Sequence, residues 1–80
     1  MSENRVAPRQ RILKAGALEF SGGGAISCTV KNLSATGAAL EVVSALDIPD
    51  QFTLSVQAEH LKRLCRVVWR REKRIGVTFD

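Results

Sequence analysis

The sequence has no tyrosine, and only one tryptophan and three phenylalanines among 80 residues. That scarcity argues against a single-strand nucleic-acid binder built on rows of stacking rings. There is one histidine, His60, and two cysteines, Cys28 and Cys65, far apart and with no CxxC pair. A structural zinc needs a tetrahedral set of such ligands, so no metal site is expected. The same poverty removes the Ser/His/Asp, Cys/His and paired-carboxylate constellations of enzymes, and a non-catalytic protein is expected. His60 sits in a polar stretch and reads as an ordinary surface residue. Cys28 and Cys65 read as small core hydrophobes of a cytoplasmic chain rather than as a disulfide. No apolar run approaches the roughly 18 residues of a membrane span, and no apolar segment follows Met1 to Arg5 as a secretory signal would require. Membrane insertion is therefore not expected.

What is present is an excess of positive charge and a regular alternation of side chains. Twelve basic residues against eight acidic ones leave a net charge of +4, and eight of the twelve are arginine. Arginine forks onto phosphates and guanine edges, so the balance points to an anionic partner. At 45% hydrophobic and 25% charged, the chain has the composition of a globular protein, and its length suits a single domain over residues 1–80.

The alternation has period two, the signature of strands. Ile26, Cys28 and Val30 read as one inward face, and so do Ala38, Leu40 and Val42. Phe52, Leu54 and Val56 form another, then Cys65, Val67 and Trp69, then Ile75, Val77 and Phe79. A noisier first strand covers about Arg11 to Phe20. On this pattern Trp69 and the three Phe residues point inward, and Arg66 and Arg70 share the opposite face. Ser21-Gly22-Gly23-Gly24 reads as a turn, Asn32 to Gly37 as the link between the second and third strands, and Leu46 to Asp50 as a loop around Pro49. Six short strands on short turns predict an all-β fold, a small six-stranded antiparallel β-barrel over 11–80 with little or no helix. At most one helical turn is expected, near Leu46–Asp50 or Glu59–Leu61. Closure would answer the edge-strand problem of an open sheet. Residues 1–10 lack periodicity and read as a flexible N-terminal arm.

Two short constellations stand out. Arg5-Val6-Ala7-Pro8-Arg9 places two guanidinium groups four residues apart, just before a strand; by itself it reads as a solvated basic tail. Asn32-Leu33-Ser34-Ala35-Thr36-Gly37 offers an amide, a hydroxyl and a position free to take positive φ; by itself it reads as an Asx or Ser turn. Taken together and in order, the RxxxR arm and the [D/N]-x-S-x-x-G turn resemble the PilZ domain family. Arg66-Val67-Val68-Trp69-Arg70 followed by Arg74-Ile75-Gly76-Val77-Thr78-Phe79 resembles that family's closing strand pair, so the likeness spans essentially the whole chain. The resemblance implies a six-stranded barrel that binds the bacterial second messenger cyclic di-GMP. It implies that Arg5 and Arg9 grip the ligand's phosphates and guanine edges, that Asn32 hydrogen-bonds a guanine, that the Ser34 hydroxyl lies near the ligand, and that Gly37 keeps the turn open. Guanine's O6 and N7 are the natural match for an arginine fork.

Three further expectations follow from the resemblance. Asn4 stands where many members carry a second Arg, which leaves one or two ligand molecules per protein open. The chain reaches Asp80 without the helix that follows the barrel in many members, so the barrel end is open or covered by a second subunit as a homodimer. A stand-alone receptor with no effector domain is expected to signal by offering a changed surface to a separate protein partner or through altered self-association. Two other readings compete: a basic barrel that binds RNA or DNA through the 63–74 face, and a protein-interaction adaptor that ignores the nucleotide. The first would bind with affinity falling steeply with salt.

Overall fold

The computed structural model describes residues 10–80, with the backbone alone for Gln10, Arg11 and Ile12. Arg5 and Arg9 lie outside the described residues. Six strands form where the alternation predicts them: β1 Gln10–Glu19, β2 Ala25–Leu33, β3 Gly37–Glu41, β4 Gln51–Val56, β5 Leu61–Arg71 and β6 Arg74–Phe79. All neighbours are antiparallel, and the sheet closes in the order β1-β2-β3-β6-β5-β4, with β4 returning to β1. The helical content of the described residues is two 3-10 turns, Ala45–Asp47 and Gln57–Glu59, close to the two stretches expected to hold one turn. The Ser21–Gly24 turn is closed by the Phe20 and Gly23 amides. Its Gly23 adopts φ +105°, a conformation that side chains resist.

Alternate residues of the strands fill the barrel. Leu18, Val30, Leu40, Leu54, Val56, Cys65 and Ile75 are fully buried, and no polar or charged residue joins them among the described residues. Phe20 meets Phe52 edge to face, with ring centroids 6.5 Å apart. Ile26 departs from its pattern and is 38% exposed. The reason is topological: β3 pairs with β2 only from Thr29 onward, so Ile26 has a neighbouring strand on one side alone.

Cys28 and Cys65 are buried and free. Burial pushes each thiol up to about 11 from an ordinary 9.0. For Cys28 the neighbouring Cys65 adds to the shift. For Cys65, burial outweighs the Leu54 backbone hydrogen bond and the Arg63 charge, which act in the opposite sense. Between pH 9 and 11 the unfolded chain releases thiol protons that the folded chain keeps. This contribution to stability is therefore complete below pH 9 and is lost as pH rises towards 11. Urea melts across that window are expected to show stability falling with pH, and a Cys28→Ala/Cys65→Ala variant is expected to fall less steeply. Identical slopes would contradict this account.

Two β-bulges decide which side chains face outward. On β5, Val67 pairs with Val77 and Trp69 with Gly76, so Val68 is an extra residue. On β2, Val30 pairs with Leu40 and Asn32 with Ala39, so Lys31 is extra. An extra residue reverses the sidedness of everything after it. The period-two reading of β5 therefore fails past Val67. Trp69 is 45% exposed on the outer wall rather than inward, and Arg70 does not share a face with Arg66.

Arg70 instead turns toward the loop between β3 and β4. Its guanidinium donates to the Ala45 carbonyl at 2.5 Å, to the Ile48 carbonyl at 2.7 Å and to Asp50 at 2.7 Å. These bonds anchor a loop whose Ala45 and Ile48 side chains are buried in the core. Arg70→Met keeps the aliphatic stem and leaves the carbonyls without their donor. A loss of about 2 kcal/mol is expected, because charge-assisted bonds contribute more than neutral ones. An equilibrium urea melt measures it, and an unchanged midpoint would assign the loop's anchoring to its apolar side chains alone.

Candidate functional site

The two bulges bring distant residues onto one outer row. Asn32 of β2 stands opposite Ala39 of β3, Ala39 opposite Gly76 of β6, and Gly76 opposite Trp69 of β5. The middle of the row is a floor of small residues. The Trp69 indole lies directly over Gly76, in the space that any side chain at position 76 would need. A cavity of about 370 Å³ opens along this row, bounded by Asn32, Ser34, Gly37, Trp69, Gly76 and Thr78. It lies on the wall of the barrel, whose interior is filled by the apolar core.

Asn32 is part of β2, which continues to Leu33, and does not belong to the connecting turn as its motif suggests. Leu33 packs on the core, so its neighbour Asn32 faces the other way. The turn itself is Ser34-Ala35-Thr36. The Ser34 hydroxyl accepts from the Thr36 and Gly37 amides at 3.3 Å each. The Ser34 amide donates to the Gly37 carbonyl at 2.9 Å, and Phe79 of β6 donates to the Thr36 carbonyl at 2.9 Å. Ser34 thus borders the cavity while its hydroxyl organises the turn.

Gly37 does not use the positive φ that its place in the turn would permit; Gly23 is the described glycine that does. Gly37 pairs with Thr78, and a Cβ at this position would run into the backbone carbonyl of Val77. Its requirement is close approach between β3 and β6, not conformational freedom.

The charged residues beside the cavity are of both signs, with one cation more than the acids pair. A second cavity of about 400 Å³ adjoins the other side of Asn32 and is lined by Leu13, Lys31, Asn32 and Arg74. Lys31 pairs with Glu41 at 3.4 Å, and Arg66 approaches Asp80 at 3.8 Å. Both are solvent-screened pairs of small energetic weight. Among the described residues Arg74 has no ion-pair partner. Such a cluster raises the local concentration of an anion. Among the described residues no three of His, Cys, Asp and Glu come together as a metal-binding group, and no helix is long and apolar enough to cross a membrane.

Three of the five expected site residues, Asn32, Ser34 and Gly37, are brought together at one cavity. Arg5 and Arg9 fall outside the described residues. Trp69 is the residue that the periodicity hid. Two signals pointed to it: three consecutive apolar residues, Val67-Val68-Trp69, break the alternation, and a glycine inside β6 marks a close approach.

The architecture defines a class: a small closed antiparallel barrel with a solvent-facing cavity on its wall. The chain belongs to the PilZ domain family, whose model matches residues 3–80. PilZ is a family of cyclic di-GMP-binding and adaptor domains, not of enzymes. No curated protein matches the chain as a relative.

Proposed function

We propose that this protein is a cyclic di-GMP receptor that passes its signal to a separate protein through a ligand-altered surface. The observation that carries the reading is a register. Arg11 of β1 pairs with Asn32, and Gln10 pairs with Leu33. The segment bearing Arg5 and Arg9 is therefore covalently joined to the strand beside Asn32. Four residues span at most about 14 Å, so Arg5 and Arg9 are close enough in the chain to serve one ligand. In this reading the two guanidinium groups take the phosphates and guanine edges, and Asn32 hydrogen-bonds a base. Ser34 and Gly37 hold the turn that borders the base, and Trp69 offers its exposed face for stacking. Arg74, which has no ion-pair partner among the described residues, supplies a field that favours a dianionic ligand.

Trp69 is the sole tryptophan, so its fluorescence reports on one position. Titration with cyclic di-GMP is expected to change that emission saturably and to release heat in a calorimeter. Cyclic di-AMP, which lacks the guanine O6 acceptor, is expected to do neither at the same concentration. Absence of heat with cyclic di-GMP would end the proposal. A thermal response without a change in Trp69 emission would keep the ligand and remove Trp69 from its site.

A further inference from the structure

Seven basic residues lie between Lys62 and Arg74, and the structure divides them. Lys62 pairs with Glu19 at 3.4 Å, Arg63 sits 4.9 Å from the Phe79 ring centroid, Arg66 approaches Asp80 and Arg70 holds Asp50. Arg71, Lys73 and Arg74 have no ion-pair partner among the described residues. These three line a groove of about 900 Å³ between the β5–β6 hairpin and the chain after β3. Val43 and Leu46 line the same groove and are the most exposed large hydrophobic residues described, at 84% and 87%. Two bare aliphatic side chains beside three uncompensated cations have no role in the barrel's own packing.

We propose that this groove docks a short acidic segment of another protein that carries aliphatic or aromatic anchors. Its carboxylates would meet Arg71, Lys73 and Arg74, and its apolar side chains would cover Val43 and Leu46. Glu72 is the acidic residue in the groove that has no ion-pair partner among the described residues, so the lining keeps a positive excess. Charge complementarity therefore selects an acidic occupant. A second copy of this chain is disfavoured, because a two-fold contact would set the same cations against each other. Nucleic acid is disfavoured as well: the groove has aliphatic walls and no ring on which a base could stack. Arg71 and Arg74 also border the small cavity under Trp69, so the docking groove adjoins the nucleotide wall through two shared cations. The docking inference does not depend on the nucleotide reading.

The test pans a display library of random short peptides against the whole chain without nucleotide. The enriched peptides are expected to be acidic with apolar anchors, and to shift amides of residues 43–46 and 70–74 in an NMR titration. Affinity is expected to fall about tenfold or more in a Val43→Ser/Leu46→Ser variant and in an Arg71→Glu/Lys73→Glu variant. All four positions are exposed, so both variants should melt close to the wild type. No enriched peptide, peptides of neutral or basic character, shifts elsewhere on the barrel, or affinity unchanged in both variants would each overturn the proposal. So would tight, groove-dependent binding of anionic lipid vesicles or of single-stranded DNA with no peptide binding, and so would self-association through these residues.

Discussion

Arg9→Ala is expected to weaken cyclic di-GMP binding by about a hundredfold while leaving the melting temperature unchanged. The size follows from what the guanidinium would be asked to do. A bidentate fork to guanine contributes about 1–3 kcal/mol of discrimination. Charge-assisted bonds to phosphate are about twice as strong as neutral ones. A combined loss near 3 kcal/mol corresponds to roughly two decades in affinity. A thermal melt of the variant checks that the loss lies in recognition and not in the fold. Arg9→Lys keeps the charge but not the fork and should recover only part of the affinity. Full affinity in Arg9→Ala would sink the assignment of the arm. Equal losses in the Ala and Lys variants would show that fork geometry, not charge, dominates.

Gly37→Ala is expected to act in the opposite way, on the fold first. A methyl group at position 37 points into the Val77 carbonyl of β6, and β6 backbone cannot yield as a flexible side chain can. The pairing runs from Gly37↔Thr78 to Glu41↔Arg74, so relief would require β3 and β6 to separate at their first pair. Overpacking of this kind costs about 1–3 kcal/mol and more when backbone must move. A domain of this size has a total stability of about 4–12 kcal/mol. The variant is therefore expected to lose about 3 kcal/mol or more in a urea melt, and to lose ligand binding only in proportion to the unfolded fraction. A melting temperature within a few degrees of the wild type would show that the two strands can part locally. The pair of variants separates a residue proposed to recognise the ligand from one that builds the wall on which it would sit.

Much of this was readable along the chain, for definite reasons. Phe52, Leu54 and Val56 alternate without interruption, and β4 pairs with β5 in unbroken register; the pattern and the structure agree there residue by residue. The same holds for Ile75, Val77 and Phe79 in β6. Agreement breaks down at Trp69 and Arg70, which follow an extra residue in β5, and at Asn32, read as part of the connecting link and found within β2. No glycine or proline marks the bulges at Lys31 and Val68; the run of three apolar residues Val67-Val68-Trp69 is the one local sign that the pairing had slipped. At Gly37 the motif suggests a free φ, while the constraint that the structure shows comes from a carbonyl on a strand some forty residues away. Cys28 and Cys65 were legible as core, since apolar alternation already placed both inward.

The sequence by itself determined the strand count, the barrel class, the apolar interior and the two short constellations that mark the family. Those are local properties: a period of two, turn residues at their stations, and spacing between named side chains. The tertiary structure alone decided which residues share the outer wall. Asn32 and Trp69 are separated by more than thirty positions and meet on one row only because β2, β3, β6 and β5 lie side by side and two of them are bulged. It also decided how the basic excess is distributed, pairing Lys62, Arg66 and Arg70 and leaving Arg71, Lys73 and Arg74 beside Val43 and Leu46. Register and bulges are properties of pairs of strands, and a single strand's sequence carries no record of its neighbour.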